Sequence, residues 1–150
     1  MQVAITSNLQ RLSLHDSSFE MIVRTRQEME LTFDWAKLET FDEQRISEPI
    51  IMGKTILSLT GVRSEQFRFY AENENYSLVP LPDDLMTGLA PIGTNEIDDE
   101  TNSVKISGLY TSKDNQSNWV EWIFHFATCQ LSWTSYVTHT EWLNGKLPSD

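Results

Sequence analysis

The side chains with chemical potential fall into four groups, the first three being the histidines His15, His125 and His139, the run His15-Asp16-Ser17, and the carboxylate-rich stretch Asn95-Glu-Ile-Asp-Asp-Glu-Thr-Asn102. Imidazoles together with Asp16 offer the nitrogen and oxygen donors of a zinc site. Their spacing argues against it, because no two histidines have the i, i+4 interval of a helical ligand pair and Cys129 is the single cysteine. Separate imidazoles, hydrogen-bonded or facing water, are the expectation. His15-Asp16-Ser17 holds the residue types of a hydrolytic triad, yet a triad needs side chains converging from separate elements, and neighbours in extended chain point alternately apart. A turn or hydrogen-bonded strand entry is expected there instead. Catalysis would require His15, Asp16 and His125 or His139 to converge. The chain has no Gly-x-Ser-x-Gly elbow, phosphate-binding glycine loop or His-Glu-x-x-His, so a non-enzymatic protein without a cofactor is the reading. The stretch 95–102 presents clustered oxygens to a hard cation, but it lacks the spacing and internal glycine of an EF-hand loop; a solvated acidic loop is expected.

Flat rings form a fourth group. Trp119, Trp122, Trp133, Tyr136 and Trp142 would either line a ligand groove or fill a core, and the core is the expectation. Trp119 is the exception, because alternation sets it opposite Trp122 and towards solvent, where an exposed tryptophan near acidic residues resembles an interaction hot spot.

These residues must be positioned by strands. In Trp119–Tyr136 the apolar positions are even up to Phe126 (Val120, Trp122, Phe124) and odd from Cys129 (Leu131, Trp133, then Val137). A strand has a period of two, so this reversal near Ala127-Thr128 means a one-residue bulge or a tight turn into a returning strand; the turn is preferred, because a single strand of the combined length would be unusual. Upstream, Phe19, Met21 and Val23 alternate with Glu20, Ile22 and Arg24. After a turn at Thr25–Gln27, Met29, Leu31, Phe33 and Trp35 point one way and Glu28, Glu30, Thr32 and Asp34 the other. A polar connection at Glu39–Pro49 leads to a strand from about Ile50 to Leu59, a turn at Gly61, and a strand at Glu65–Tyr70 with Phe67 and Phe69 on one side. Val104 and Ile106 mark a strand within Asn102–Tyr110. Trp142 and Leu143 are expected to anchor the C-terminal end before Asn144-Gly145 turns it. About seven strands of this kind read as an all-β fold, either an antiparallel sandwich or a strongly curved, partly open barrel.

Between Ala71 and Thr101 the alternation lapses, and the segment reads as an irregular insertion in a single domain spanning 1–150. Pro80, Pro82, Pro91, Gly88 and Gly93 make extended strands improbable through most of it, although Leu85 and Met86 can form one helical turn behind Asp83-Asp84. No Lys or Arg occurs from Phe69 to Val104, whereas Glu72, Glu74, Asp83, Asp84, Glu96, Asp98, Asp99 and Glu100 all fall inside. Over the whole chain 22 acids outnumber 11 Lys and Arg, for a formal charge of −11. Such a balance opposes a phosphate backbone as partner and suits a basic protein. No apolar run reaches membrane-spanning length, the first residues lack a signal-peptide pattern, and one cysteine needs no oxidising compartment, so a cytoplasmic protein is expected.

Leu14-His-Asp-Ser-Ser-Phe-Glu-Met21, followed by Met29-Glu-Leu-Thr-Phe-Asp-Trp35, resembles the opening of a loose group of small uncharacterised bacterial β-rich proteins. The late aromatic strand with its cysteine, Phe124 to Trp133, is similar to theirs as well. Some of that group are immunity proteins, which bind and neutralise a partner toxin. The resemblance implies a bacterial origin and a binding rather than catalytic role. The combined expectation is an acidic protein-binding domain, an immunity-type protein neutralising a basic partner. Glu72, Glu74, Asp83, Asp84, Glu96, Asp98, Asp99 and Glu100 would steer the encounter, and Trp119 would supply close contact. The competing expectation is a small-molecule or carbohydrate-binding module with Trp119, Tyr136 and Trp142 in one groove.

Overall fold

The computed structural model describes residues 2–15, 17–71 and 75–149. Its strands, in chain order, are β1 (Val3–Ile5), β2 (Leu12–Ser13), β3 (Ser18–Thr25), β4 (Glu28–Asp34), β5 (Lys37–Leu38), β6 (Ile50–Met52), β7 (Thr55–Thr60) and β8 (Arg63–Tyr70). There follow β9 (Tyr76–Leu78), helix α1 (Leu85–Gly88), β10 (Leu89–Ala90), β11 (Asn95–Asp98), β12 (Ser103–Thr111), β13 (Ser117–His125), β14 (Thr128–Trp133), β15 (Tyr136–Thr138) and helix α2 (His139–Leu143). All pairings are antiparallel, and the sheets do not close into a barrel. Among the described residues no helix is long and apolar enough to cross a membrane.

One sheet has the order β1-β14-β7-β4-β3, and a small one the order β15-β6-β5-β2. The second continues the first. β14 runs into β15, β7 follows β6, β4 runs into β5 and β3 follows β2, so four neighbouring strands bend along one transverse crease at Leu14–Ser17, Trp35-Ala36, Gly53-Lys54 and Thr134-Ser135. Met52 N–H donates to Ala36 O and Gly53 N–H to Ser135 O, both at 2.9 Å, which satisfies backbone groups where the ladders break. Trp35 makes the sharpest local departure: its φ is +63°, a left-handed value that few bulky residues adopt. Of the run His15-Asp16-Ser17, where a turn or hydrogen-bonded strand entry is expected, the described part shows Ser17 N–H and Oγ–H both donating to Leu14 O. Asp16 itself lies outside the described residues.

Facing this bent sheet is a second one, β10-β12-β13-β8-β9, with β11 also on β12. The apolar inner rows meet in one core, in which Leu31, Phe33, Leu57, Val104, Trp122, Phe124 and Leu131 have essentially no exposed surface. Two crossings join the layers at the same end, β7 to β8 through Gly61 and β13 to β14 through Phe126-Ala127. Gly61 is required by both geometry and space: its φ is +62°, and a Cβ there would lie 2.6 Å from Ala127 Cβ.

Several expectations need correction. The parity reversal in Trp119–Tyr136 is neither a bulge nor a returning hairpin: β13 pairs with β12 and β8, β14 pairs with β1 and β7, and the chain changes sheet at Phe126-Ala127. Ile50–Leu59 is two strands divided by the crease. In β3 a register irregularity between Phe19 and Met21 shifts the alternation, so Ile22 packs against the core and Val23 is exposed; the side chain of Met21 lies outside the description. Trp35 leaves the core row of β4 and is 44% exposed. Leu143 anchors nothing, being exposed.

The acidic segment is also more ordered than its prolines suggest. β9 extends β8, while β10 and β11 cover the edge of β12 on either side of Pro91–Thr94. Pro80, Pro82 and Pro91 fall in the gaps, where no ladder amide is needed. The helical turn behind Asp83-Asp84 is α1, and its Leu85 is buried; the side chain of Met86 is not described.

Candidate functional site

The inner sides of β12, β13 and β8 are spent on the core, so recognition chemistry must come from their outer sides. On β13 these are Ser117, Trp119, Glu121, Ile123 and His125, the set expected from alternation. Leu109 pairs with Trp119, Val120 with Phe69, and Tyr70 with Tyr76, so Leu109, Trp119, Tyr70 and Tyr76 follow one another across the outer face. Trp119 is 39% exposed, Tyr76 47% and Leu78, two residues along β9, 60%. Ile92 is exposed on the arch between β10 and β11. Gly93 lets that arch lie against the tryptophan: a Cβ at Gly93 would sit 2.5 Å from the indole Cζ2. The acidic segment and Trp119 are therefore neighbours in space.

Beside this apolar row runs a charged one. Glu121 accepts from Tyr70 Oη–H at 2.5 Å and faces Lys105 Nζ at 3.1 Å and Arg68 Nη1 at 3.7 Å. Burial pushes the Glu121 carboxyl up, but the Tyr70 hydroxyl, Lys105 and Arg68 outweigh it and hold the group below its ordinary value. The same bond, with partial burial, pushes the Tyr70 hydroxyl up. Arg68 also lies over the Tyr76 ring, 4.7 Å from its centroid. Glu96, exposed and paired with Lys105 in the ladder, extends the row.

The remaining acids divide by task. Asp99 accepts from Leu9 N–H at 2.8 Å and Asn8 N–H at 3.0 Å, tying down the single helical turn Leu9–Arg11. Asp98 accepts from Glu100 N–H, Thr101 N–H and Gln10 Nε2–H; the Glu100 amide is the main reason its carboxyl is held below the usual value. Asp84 accepts from the Tyr110 hydroxyl, which burial first and this carboxylate second push up to about 12. These three hold the segment to the body. Asp83, Glu96 and Glu100 remain on the surface, and Glu72 and Glu74 lie outside the described residues. Among the described residues no three His, Cys, Asp or Glu side chains group as a metal site. Cys129 is buried, and burial with the nearby Asp99 charge pushes its thiol up to about 12.

The rings proposed for a groove do not share one. Tyr136 packs edge-on against Phe41 at 5.6 Å, Trp133 against the same ring at 5.3 Å, and Trp119 lies on the other sheet. Trp142 instead meets Trp35 edge-to-face at 5.1 Å, and together with His15, Lys37, Ile51 and His139 they line a cleft of about 230 Å³ at the crease. A larger hollow of about 810 Å³ is walled by Thr25, Arg26, Gln27 and Glu28, the exposed turn of the β3–β4 hairpin, and gathers no comparable set of groups. Sequence reasoning missed the crease cleft because its histidines come from opposite ends of the chain. His125 is separate from it, on the outer side of β13.

Helix α2 is one turn long and depends on its tethers. Thr138 Oγ1 accepts from Glu141 N–H at 3.2 Å while Glu141 Oε1 accepts from Thr138 N–H at 3.0 Å, a reciprocal cap. Thr140 N–H donates to Glu48 Oε1 at 2.7 Å and His139 N–H to Pro49 O at 2.7 Å. Lys146 at 2.7 Å and the Thr138 amide lower the Glu141 carboxyl from 4.5 to about 2. A depressed folded-state value stabilises fully above 4.5 and is lost as pH falls towards 2. Hydrogen exchange should therefore quicken at the Thr138 and Glu141 amides across that acid range while β4 stays protected; unchanged protection would remove the cap from this role.

Comparison with known protein families, with curated proteins and with solved structures finds no match for this chain.

Proposed function

We propose that this is a non-catalytic binding protein that docks a basic protein partner on the outer face of β12, β13, β8 and β9. The observation that carries the reading is the row Leu109, Trp119, Tyr70 and Tyr76, with Leu78 and Ile92 at its margins, which stays partly exposed although the arch at Gly93 rests against one side of Trp119. Exposed aromatic rings beside a charged row have the composition of an interface centre, where Trp and Tyr supply most of the affinity. The partner's sign follows from the formal charge of −11 and from Asp83, Glu96 and Glu100, which stay free on the surface while Asp84, Asp98 and Asp99 brace the fold. An immunity-type role in the bacterial cytoplasm, neutralising a basic toxin, is the biological setting this reading extends to.

The test is affinity capture by the full chain and by a W119S/Y76S variant, each at low and high salt. Raising salt from about 0.1 M to about 1 M shortens the screening length from about 10 Å to about 3 Å. A basic protein should be retained by the wild type, released by salt and held at least about tenfold more weakly by the variant. Equal retention by the variant, or indifference to salt, would overturn the reading.

A further inference from the structure

The geometry points to a second, independent binding site: we infer that the cleft at the crease takes a small organic anion with a single flat ring. Four parts of the chain converge on it, namely the turn carrying His15, the bend and strand carrying Trp35 and Lys37, Ile51 of β6, and α2 with His139 and Trp142. Its volume of about 230 Å³ is below the range of about 300–1,000 Å³ usual for drug-sized ligands and suits one ring with a short polar group.

The apolar part of the recognition is built at a cost. A non-glycine residue in the left-handed region is strained, and a turn alone is served more cheaply by glycine. Trp35 occupies that region at φ +63°, and the result is an indole that stands 44% exposed over the cleft, braced at 83° against Trp142. Flat, rigid walls of this kind select flat ligands.

Charge selects the sign. In a chain with a formal charge of −11, Lys37 brings an ammonium to this cleft, beside the imidazoles of His15 and His139. The Lys37 ammonium reaches Glu39 only at 3.8 Å, the loose end of ion-pair distances, and its side chain remains 36% exposed. Among the described residues nothing hydrogen-bonds to His139 Nδ1, an enclosed atom, and a buried polar group left so is costly unless something else supplies the bond. Glu48, the carboxylate that feels His139, is engaged by the Thr140 amide. A ligand carboxylate would gain a cationic partner in Lys37, next to the His139 ring that lines the cleft.

Titrating the full chain with benzoate, benzyl alcohol and benzylammonium tests this, read by calorimetry and by the indole N–H resonances of Trp35 and Trp142. Benzoate should saturate at millimolar concentration or below and shift those two resonances. The neutral and cationic analogues should bind at least about tenfold more weakly, about 1.4 kcal/mol. K37M should weaken benzoate by about as much, with an unchanged unfolding midpoint, and H139N should weaken it too. If H139N fails to fold, K37M carries the test, since Lys37 extends into solvent. No saturation by benzoate, equal binding of benzyl alcohol, shifts confined to other tryptophans, or wild-type affinity in K37M would each overturn the inference. None of these readouts depends on the partner-binding face.

Discussion

Replacing Trp122 by alanine should remove about 4 kcal/mol of unfolding free energy, a loss typical of deleting a fully buried aromatic ring. Trp122 has no exposed surface, meets Phe124 at 5.2 Å, and lies between the two layers. Its indole also carries a polar duty. Nε1–H donates to Glu65 Oε2 at 2.7 Å, and the same carboxylate receives both Arg24 terminal nitrogens, at 2.6 and 3.1 Å. Arg24 belongs to the bent sheet, whereas Glu65 and Trp122 belong to the other, so the carboxylate links the layers as well as satisfying the ring nitrogen. The smaller change Trp122→Phe separates these contributions, because it keeps most of the apolar volume and deletes the charged hydrogen bond, worth about 1.5–3 kcal/mol. Urea unfolding measures both. An alanine variant within 1 kcal/mol of wild type would mean, against the scale of about 3–5 kcal/mol for such deletions, that the sheets do not meet at this ring.

Gly108→Val should cost about 3 kcal/mol, at the upper end of overpacking effects, and should act locally. A Cβ at Gly108 would lie 1.9 Å from Ala90 O, 2.9 Å from Ala90 C and 3.0 Å from Ile92 N. These are backbone atoms, so no rotamer change relieves the clash; β10 must leave β12. Detaching β10 lifts the cover that Leu85 and Leu89 provide and frees the arch lying on Trp119. Limited proteolysis should then cut between Pro82 and Asn95, and exchange should rise in that interval ahead of β13. Gly145→Ala is the contrast: nothing lies within 4 Å of its Cβ, and only the +87° φ penalises it, by about 1 kcal/mol. Equal effects of the two substitutions would contradict the close approach at Gly108.

The strands that could be read from sequence are those whose alternation is not interrupted. Met29, Leu31 and Phe33 on β4 and Val120, Trp122 and Phe124 on β13 all proved buried, and Trp119 stands outside as parity required. A two-residue rhythm reports which side of a strand is apolar. It does not report which sheet the strand belongs to, so the crossing at Phe126-Ala127 looked like a reversal and the crease at Gly53-Lys54 was invisible. Irregularities defeat it too, since the slip between Phe19 and Met21 exchanged the roles of Ile22 and Val23. The acids show a different limit. Composition located them, but whether a carboxylate braces the fold or faces solvent depends on partners such as Tyr110, Asn8 and Leu9, which lie far away along the chain. His15 and His139 meet for reasons of topology alone, through β2, β5, β6 and β15.

The pairing of β1 with β14 sets Val3 opposite Trp133. During synthesis from the N-terminus, Val3–Ile5 has no ladder to join until nearly all the other strands have been made, and β7 waits equally long for its second neighbour. Such high contact order implies slow closure, in the range of milliseconds to seconds found for β-rich domains, with strand edges open to wrong partners meanwhile. The nascent chain is therefore most exposed to aggregation late in its production, and the outermost strand of the bent sheet is among the last pieces to lock.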